Sequence, residues 1–115
     1  MSAAQAAVTD AGEHVLRLSR QMHEAARDGA WARLAALHEQ REPALRALCE
    51  GRLVAPDRLR AVLEAVLEVD RETVALVMAA REDAQAALRR LTAGRRAVGA
   101  YHESRAGAYH GTSRG

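Results

Sequence analysis

The sequence predicts an all-α fold: an antiparallel helical bundle of three main helices, followed by a short, weakly held C-terminal helix. Three observations carry this. Between Pro56 and Gly94 there is neither glycine nor proline, and apolar residues recur there in alternating steps of three and four, the period of one helix face. Hydrophobic residues make up 49% of the chain but aromatics only 3%, with no phenylalanine. The core must therefore be built from alanine, leucine and valine, a mixture suited to closely packed helices. No stretch reads as a strand.

The first helix is expected over about residues 3–28. Ser2 with Gln5, and Asp10 with Glu13, both resemble capping boxes, and Gly12 weakens the version that starts at Ser2. From Val8 onward, Ala11, Val15, Leu18, Met22 and Ala25 form an apolar face, with Arg17, Arg20, Glu24 and Arg27 largely on the others. Asp28 and Gly29 break the pattern and a new helical period starts at Trp31. That spacing predicts a tight turn and a second helix running antiparallel to the first.

The second helix, about 30–50, places Trp31, Leu34, Leu37 or His38, Arg41, Leu45 and Leu48 on one side. His38 and Arg41 fall where seam residues should be apolar, so they either snorkel to the edge or mark an opening in the bundle; an edge position is the simpler expectation. Pro43 would clash with the carbonyl of Glu39, which predicts a kink or a short break near residues 39–43. Gly51 closes the helix and Arg52 to Ala55 link it to the next.

The third helix is expected over 56–93. Pro56 suits a first helical position, Asp57 the positive end of the dipole and Gly94 the far end. Leu59, Val62, Val66, Val69, Thr73, Leu76 and Ala80 form its stripe, widened by Leu63, Leu67 and Val77. At a rise of roughly 1.5 Å per residue it would run about 55 Å, so the other helices should lie along it. Glycines at 99, 107, 111 and 115 then weaken the chain, and Gly-Ala-Tyr-His occurs twice, from Gly99 and from Gly107. This predicts a short fourth helix over 95–106 and a flexible tail over 107–115, with residues 1–106 as one domain.

Composition and motifs narrow the function. No run approaches the roughly 18 apolar residues of a membrane span, and the N-terminal stretch lacks the pattern of a signal peptide, so a cytoplasmic protein without membrane insertion is expected. The lone Cys49 reads as a small buried hydrophobe. The net charge of +2 is uneven: residues 1–85 carry 11 arginines against 14 acids, residues 86–115 carry 6 arginines against Glu103 alone, and there is no lysine. An acidic body with a basic end predicts an intramolecular clasp or an acidic partner, unless arginine is simply tolerated at a helix end and in a solvated tail.

Enzyme motifs are missing: there is no glycine-rich phosphate loop and no Gly-x-Ser-x-Gly elbow. The five histidines form no i, i+4 pair and no His-Glu-x-x-His pattern, so neither metal nor cofactor is expected. Glu64, Glu68 and Glu72 form a row that reads as a solvated helix face softened by Arg60 and Arg71. Arg89, Arg90, Arg95 and Arg96 lack the stacking aromatics or recognition element that a nucleic-acid binder would place beside them. What remains is binding through helices. The third helix is apolar over more width than one neighbour covers, through Leu63, Val66, Leu67, Val74 and Val77, which predicts a third neighbour, a homodimer or an incoming amphipathic helix there; the other helices covering it completely is the competing expectation.

The chain resembles the FliT-type flagellar export chaperones. The likeness lies in Leu18-Ser19-Arg20-Gln21-Met22 running through Asp28-Gly29-Ala30-Trp31-Ala32-Arg33-Leu34, in Val66-Leu67-Glu68-Val69-Asp70-Arg71-Glu72, and in Gly94-Arg95-Arg96-Ala97-Val98-Gly99-Ala100-Tyr101. The resemblance implies a chaperone whose second and third helices hold the C-terminal segment of the filament-cap protein (FliD-type) and deliver it to the export gate and export ATPase. It further implies a final helix able to cover part of that surface, Tyr101 as the export-gate docking residue, and Gly29 and Trp31 as the structural turn. Two alternatives stand beside it: a structural coiled-coil homodimer with no dedicated client, and a regulator that binds a flagellar transcription factor. Pro43 and the glycine-rich end depart from the family pattern.

Overall fold

A computed structural model of the chain describes residues 3–51 and 55–113, with side chains over 10–51 and 55–106. The described residues are helical apart from short connections, in three elements: α1 (Ala3–Arg27), α2 (Trp31–Glu50) and α3 (Pro56–Ser113). The Ser2 capping box lies outside them. The chain divides into two compact units by its internal contacts, Met1–Met78 and Ala79–Gly115, with α3 contributing to both.

In the first unit the packing follows the predicted apolar face of α1. Leu18, Met22 and Ala25 are buried with Leu37 of α2, and Ala30 and Leu34 pack against them. Val15 is buried with Leu48 and Val66, flanked by Leu16, Ala44, Leu45, Leu59 and Val62. Residues late in α1 thus meet residues early in α2, and an earlier residue of α1 meets the end of α2. Gly12 sits inside α1 rather than before it. A Cβ at Gly12 would lie 3.1 Å from Cγ2 of Val62, so the missing side chain lets α1 and α3 approach, and this tertiary contact outweighs glycine's poor helix propensity.

The turn between α1 and α2 is closed by the backbone. Gly29 has φ +68°, in the left-handed region. Ala30 N donates to Ala25 O at 2.8 Å and Gly29 N to Ala26 O at 3.2 Å, the paired bonds of a Schellman ending with glycine at the left-handed position. Trp31 was expected to pack this turn. It is 42% exposed, and Ala30 and Leu34 beside it pack against the cluster of Leu18, Met22, Ala25 and Leu37.

Three further expectations are corrected. Of the kink or short break expected near residues 39–43, the break is absent: helix α2 is continuous from Trp31 to Glu50 with Pro43 inside it, and buried Leu37, Arg41 and Leu48 on either side hold the helix across one missing hydrogen bond. Cys49 is exposed rather than buried, because Leu48 occupies the inward position next to it. Helix α3 does not end at Gly94, and no separate fourth helix over 95–106 exists: α3 continues to Ser113. A glycine in a helix interior costs about 1 kcal/mol relative to alanine, and Gly94 and Gly99 have nothing within 4 Å of a built Cβ. No tertiary contact at these glycines redirects the chain, and the surrounding alanine, leucine and arginine sustain the helix.

At its other end α3 begins as predicted. Ala55 O accepts from Arg58 N and Leu59 N, with Pro56 first in the helix and Asp57 in the first turn.

Candidate binding groove

The feature of the first unit that sequence periodicity did not predict is a buried polar node. Arg41 is only 8% exposed. Its Nη1 donates to Oδ1 of Asp70 at 2.6 Å and to Oγ of Ser19 at 3.0 Å, and Ser19, fully buried, donates in turn to Val15 O at 3.0 Å. One guanidinium therefore ties α1, α2 and α3 together. Arg41 is neither at the edge nor free: a buried charge is tolerated only when paired and hydrogen-bonded, and Asp70 supplies both. The signal was present as three polar residues, Ser19, Arg41 and Asp70, at inward positions of three helices, but only the fold shows that they coincide. A second inter-helix pair, His23 Nε2 to Glu72 Oε2 at 3.5 Å, lies near the surface.

Beside this node is a groove of about 490 Å³, lined by Met22 from α1, Leu34, Ala35, His38, Glu39 and Arg41 from α2, and Asp70, Thr73, Val74 and Val77 from α3. That size is within the roughly 300–1,000 Å³ of sites that take a ligand's side chains. Its walls are apolar, and its polar groups are largely committed: Arg41 and Asp70 to each other, and the Thr73 hydroxyl to Val69 O at 3.2 Å. Such a surface offers mainly apolar contact, with Glu39 an exposed carboxylate on its α2 side. His38, the other polar intrusion in the predicted seam, is exposed on its rim.

The residues expected at the client surface divide in the structure. Val74 and Val77, 53% and 37% exposed, line the groove. Leu67 is exposed and Leu63 half-buried, and neither lines it. Val66 is 3% exposed and belongs to the core with Val15 and Leu48. It points inward because α1 and α2 claim that side of the helix. Sequence reasoning missed Met22, Leu34 and Ala35 as groove walls; their shared periodicity with the core concealed that they border an opening.

The second unit carries Tyr101, which is 59% exposed. It makes an edge-on contact with His102, and Arg105 lies 6.0 Å from its ring centroid, with Nη1 donating to the hydroxyl at 3.4 Å. Gly107–His110, the second Gly-Ala-Tyr-His, lies beyond the described side chains.

Among the described residues no cluster of histidine, cysteine or carboxylate side chains could hold a metal ion, and no helix is long and apolar enough to cross a membrane. In comparisons with known proteins, no curated protein and no solved structure matches the chain. A family model does: that of the family described as flagellar protein FliT, over residues 9–103.

Proposed function

The chain belongs to the FliT family of flagellar proteins, and from that membership we propose that it is a flagellar type III export chaperone, which holds the C-terminal segment of the filament-cap protein in the cytoplasm. The observation that carries this reading is the apolar groove beside the Arg41–Asp70 pair, with Met22 and Leu34 on one wall and Val74 and Val77 on the other. An amphipathic client helix laid there would bury its apolar face against these side chains, as in other helix-in-groove complexes. Leu67 and Leu63, further along α3, would extend the contact. Val66 would act from beneath, through the core.

In this reading protection is the mechanism: client surface prone to self-assembly stays buried until the export apparatus receives it. Tyr101 is the docking residue for the export gate, acting with components of the export ATPase. The order of contacts between α1, α2 and the start of α3 supports an antiparallel arrangement as the scaffold. No catalysis is needed for any of this.

The test is co-expression with the C-terminal segment of the cap protein. Co-purification that is lost on Val74→Asp with Val77→Asp supports the reading. Failure to co-purify, while a control flagellar chaperone captures its own client, overturns it. A tight homodimer that buries Val74 and Val77 would instead favour the structural coiled-coil alternative.

A further inference from the structure

A second surface lies in the second unit. Ala80, Ala84, Ala87, Leu91, Gly94, Val98 and Tyr101 follow one another along α3 at spacings of four and three without interruption. This is the two-residue seam of a coiled coil. It is open: Leu91, Val98 and Tyr101 are 63%, 57% and 59% exposed. At its centre Ala87, Leu91, Gly94 and Val98 form a shallow depression of about 670 Å³, bordered by Arg90 and Arg95. Gly94 supplies the notch, since a Cβ there would meet nothing within 4 Å.

We propose that this seam is a heteromeric coiled-coil surface, and that its occupant is an acidic amphipathic helix of another protein. Arg90 and Arg95 occupy the two positions that flank the seam, where charge selects the partner. From Leu88 to His102 the chain has four arginines and no acid. The ion pairs among the described residues use His23, Arg41, Arg46 and Arg60, and none of these four arginines.

A second copy of the chain fits poorly. In a parallel pair, Arg90 of one copy faces Arg95 of the other, which juxtaposes like charges, and in an antiparallel pair the flanking positions that can face Arg95 are Arg81, Leu88, Arg95 and His102, none of them acidic. A membrane surface fits poorly too, because a seam with alanine or glycine at four of its seven positions has little apolar bulk to insert. A partner helix with leucine-sized residues opposite Ala87 and Gly94, and with glutamate beside Arg90 and Arg95, fills the notch and pairs the charges. None of the residues of this depression lines the groove proposed for the client.

The experiment uses the full chain and three synthetic helices of about four heptads. One has leucine at seam positions and glutamate at the flanks, one has lysine at the flanks, and one has the composition of the first with its heptads scrambled. The expected result is binding of the glutamate helix at least about tenfold tighter than either control, weakening as salt is raised. The double variant R90E/R95E, whose helicity is checked by circular dichroism, should reverse the preference toward the lysine helix. Three results overturn the proposal: equal binding of the scrambled helix, self-association of the free chain that Leu91→Asp abolishes, or displacement of the glutamate helix by phosphatidylserine vesicles. Loss of cap-protein binding on Val74→Asp, with the glutamate helix still bound, separates this surface from the groove.

Discussion

Arg41 reaches Asp70 at 2.6 Å across 29 positions of sequence, and the same nitrogen holds Ser19 at 3.0 Å. This contact decides how α3 lies against the helical hairpin, since the residues around it contribute apolar contact without direction. With the Arg41 side chain 9% and that of Asp70 27% exposed, the pair is only partly screened by solvent. Breaking a fully buried pair costs about 3–5 kcal/mol, so Asp70→Ala should cost somewhat less, about 2–3 kcal/mol. Arg41→Leu with Asp70→Leu should cost less than Asp70→Ala alone, because no charge is left unpaired. Urea unfolding of the three variants checks the order.

Val66 and its neighbour Leu67 should separate stability from binding. Val66→Ala removes buried methyl groups and should destabilise by about 2 kcal/mol. Leu67→Ala, at an exposed position, should change stability by under about 0.5 kcal/mol while weakening capture of the cap-protein segment. Thermal unfolding alongside a pull-down of the same two variants is the comparison. Equal destabilisation would mean that Leu67 is covered in the free protein.

Gly29, at φ +68°, should tolerate asparagine better than alanine. A left-handed conformation costs an ordinary residue roughly 1–2 kcal/mol, so Gly29→Ala should lower stability by about that amount and Gly29→Asn by less. Denaturant midpoints with unchanged slopes would show that the loss lies in the turn.

Pro43 gives the opposite sign. It leaves Glu39 O without its intrahelical donor inside a continuous α2, and proline in a helix interior is about 3 kcal/mol less favourable than alanine. Pro43→Ala should therefore raise stability by about 1–3 kcal/mol, read as a higher melting temperature.

The docking role proposed for Tyr101 can be tested apart from client binding. The residue is 59% exposed and, among the described residues, its ring and hydroxyl meet His102 and Arg105 of the same helix, so Tyr101→Ala should leave folding and cap-protein binding unchanged while weakening capture on the export gate. Equal loss of both in parallel binding assays would refute the division of labour.

Periodicity made much of the fold legible. The apolar steps from Val15 to Ala25 name the face of α1 that is buried, and Asp28-Gly29 before a new period at Trp31 locates the turn, because local backbone sterics and helix period act over a few residues. The groove was only half legible: Val74 and Val77 could be singled out, but the periodicity that marks them also marks Val66, which is buried. Whether an apolar residue on a wide stripe faces a neighbour or an opening depends on where other helices lie, and no residue's own chemistry contains that.

Helix, turn and the charged character of the basic end thus follow from the order of residues alone, as consequences of short-range geometry and composition. The burial of Arg41, the role of Gly12 against Val62, and the continuation of α3 past Gly94 do not. Each turns on what lies across from the residue: a carboxylate 29 positions away, an isopropyl group on another helix, or open space. Those are long-range contacts or their absence, and the three-dimensional packing alone sets them.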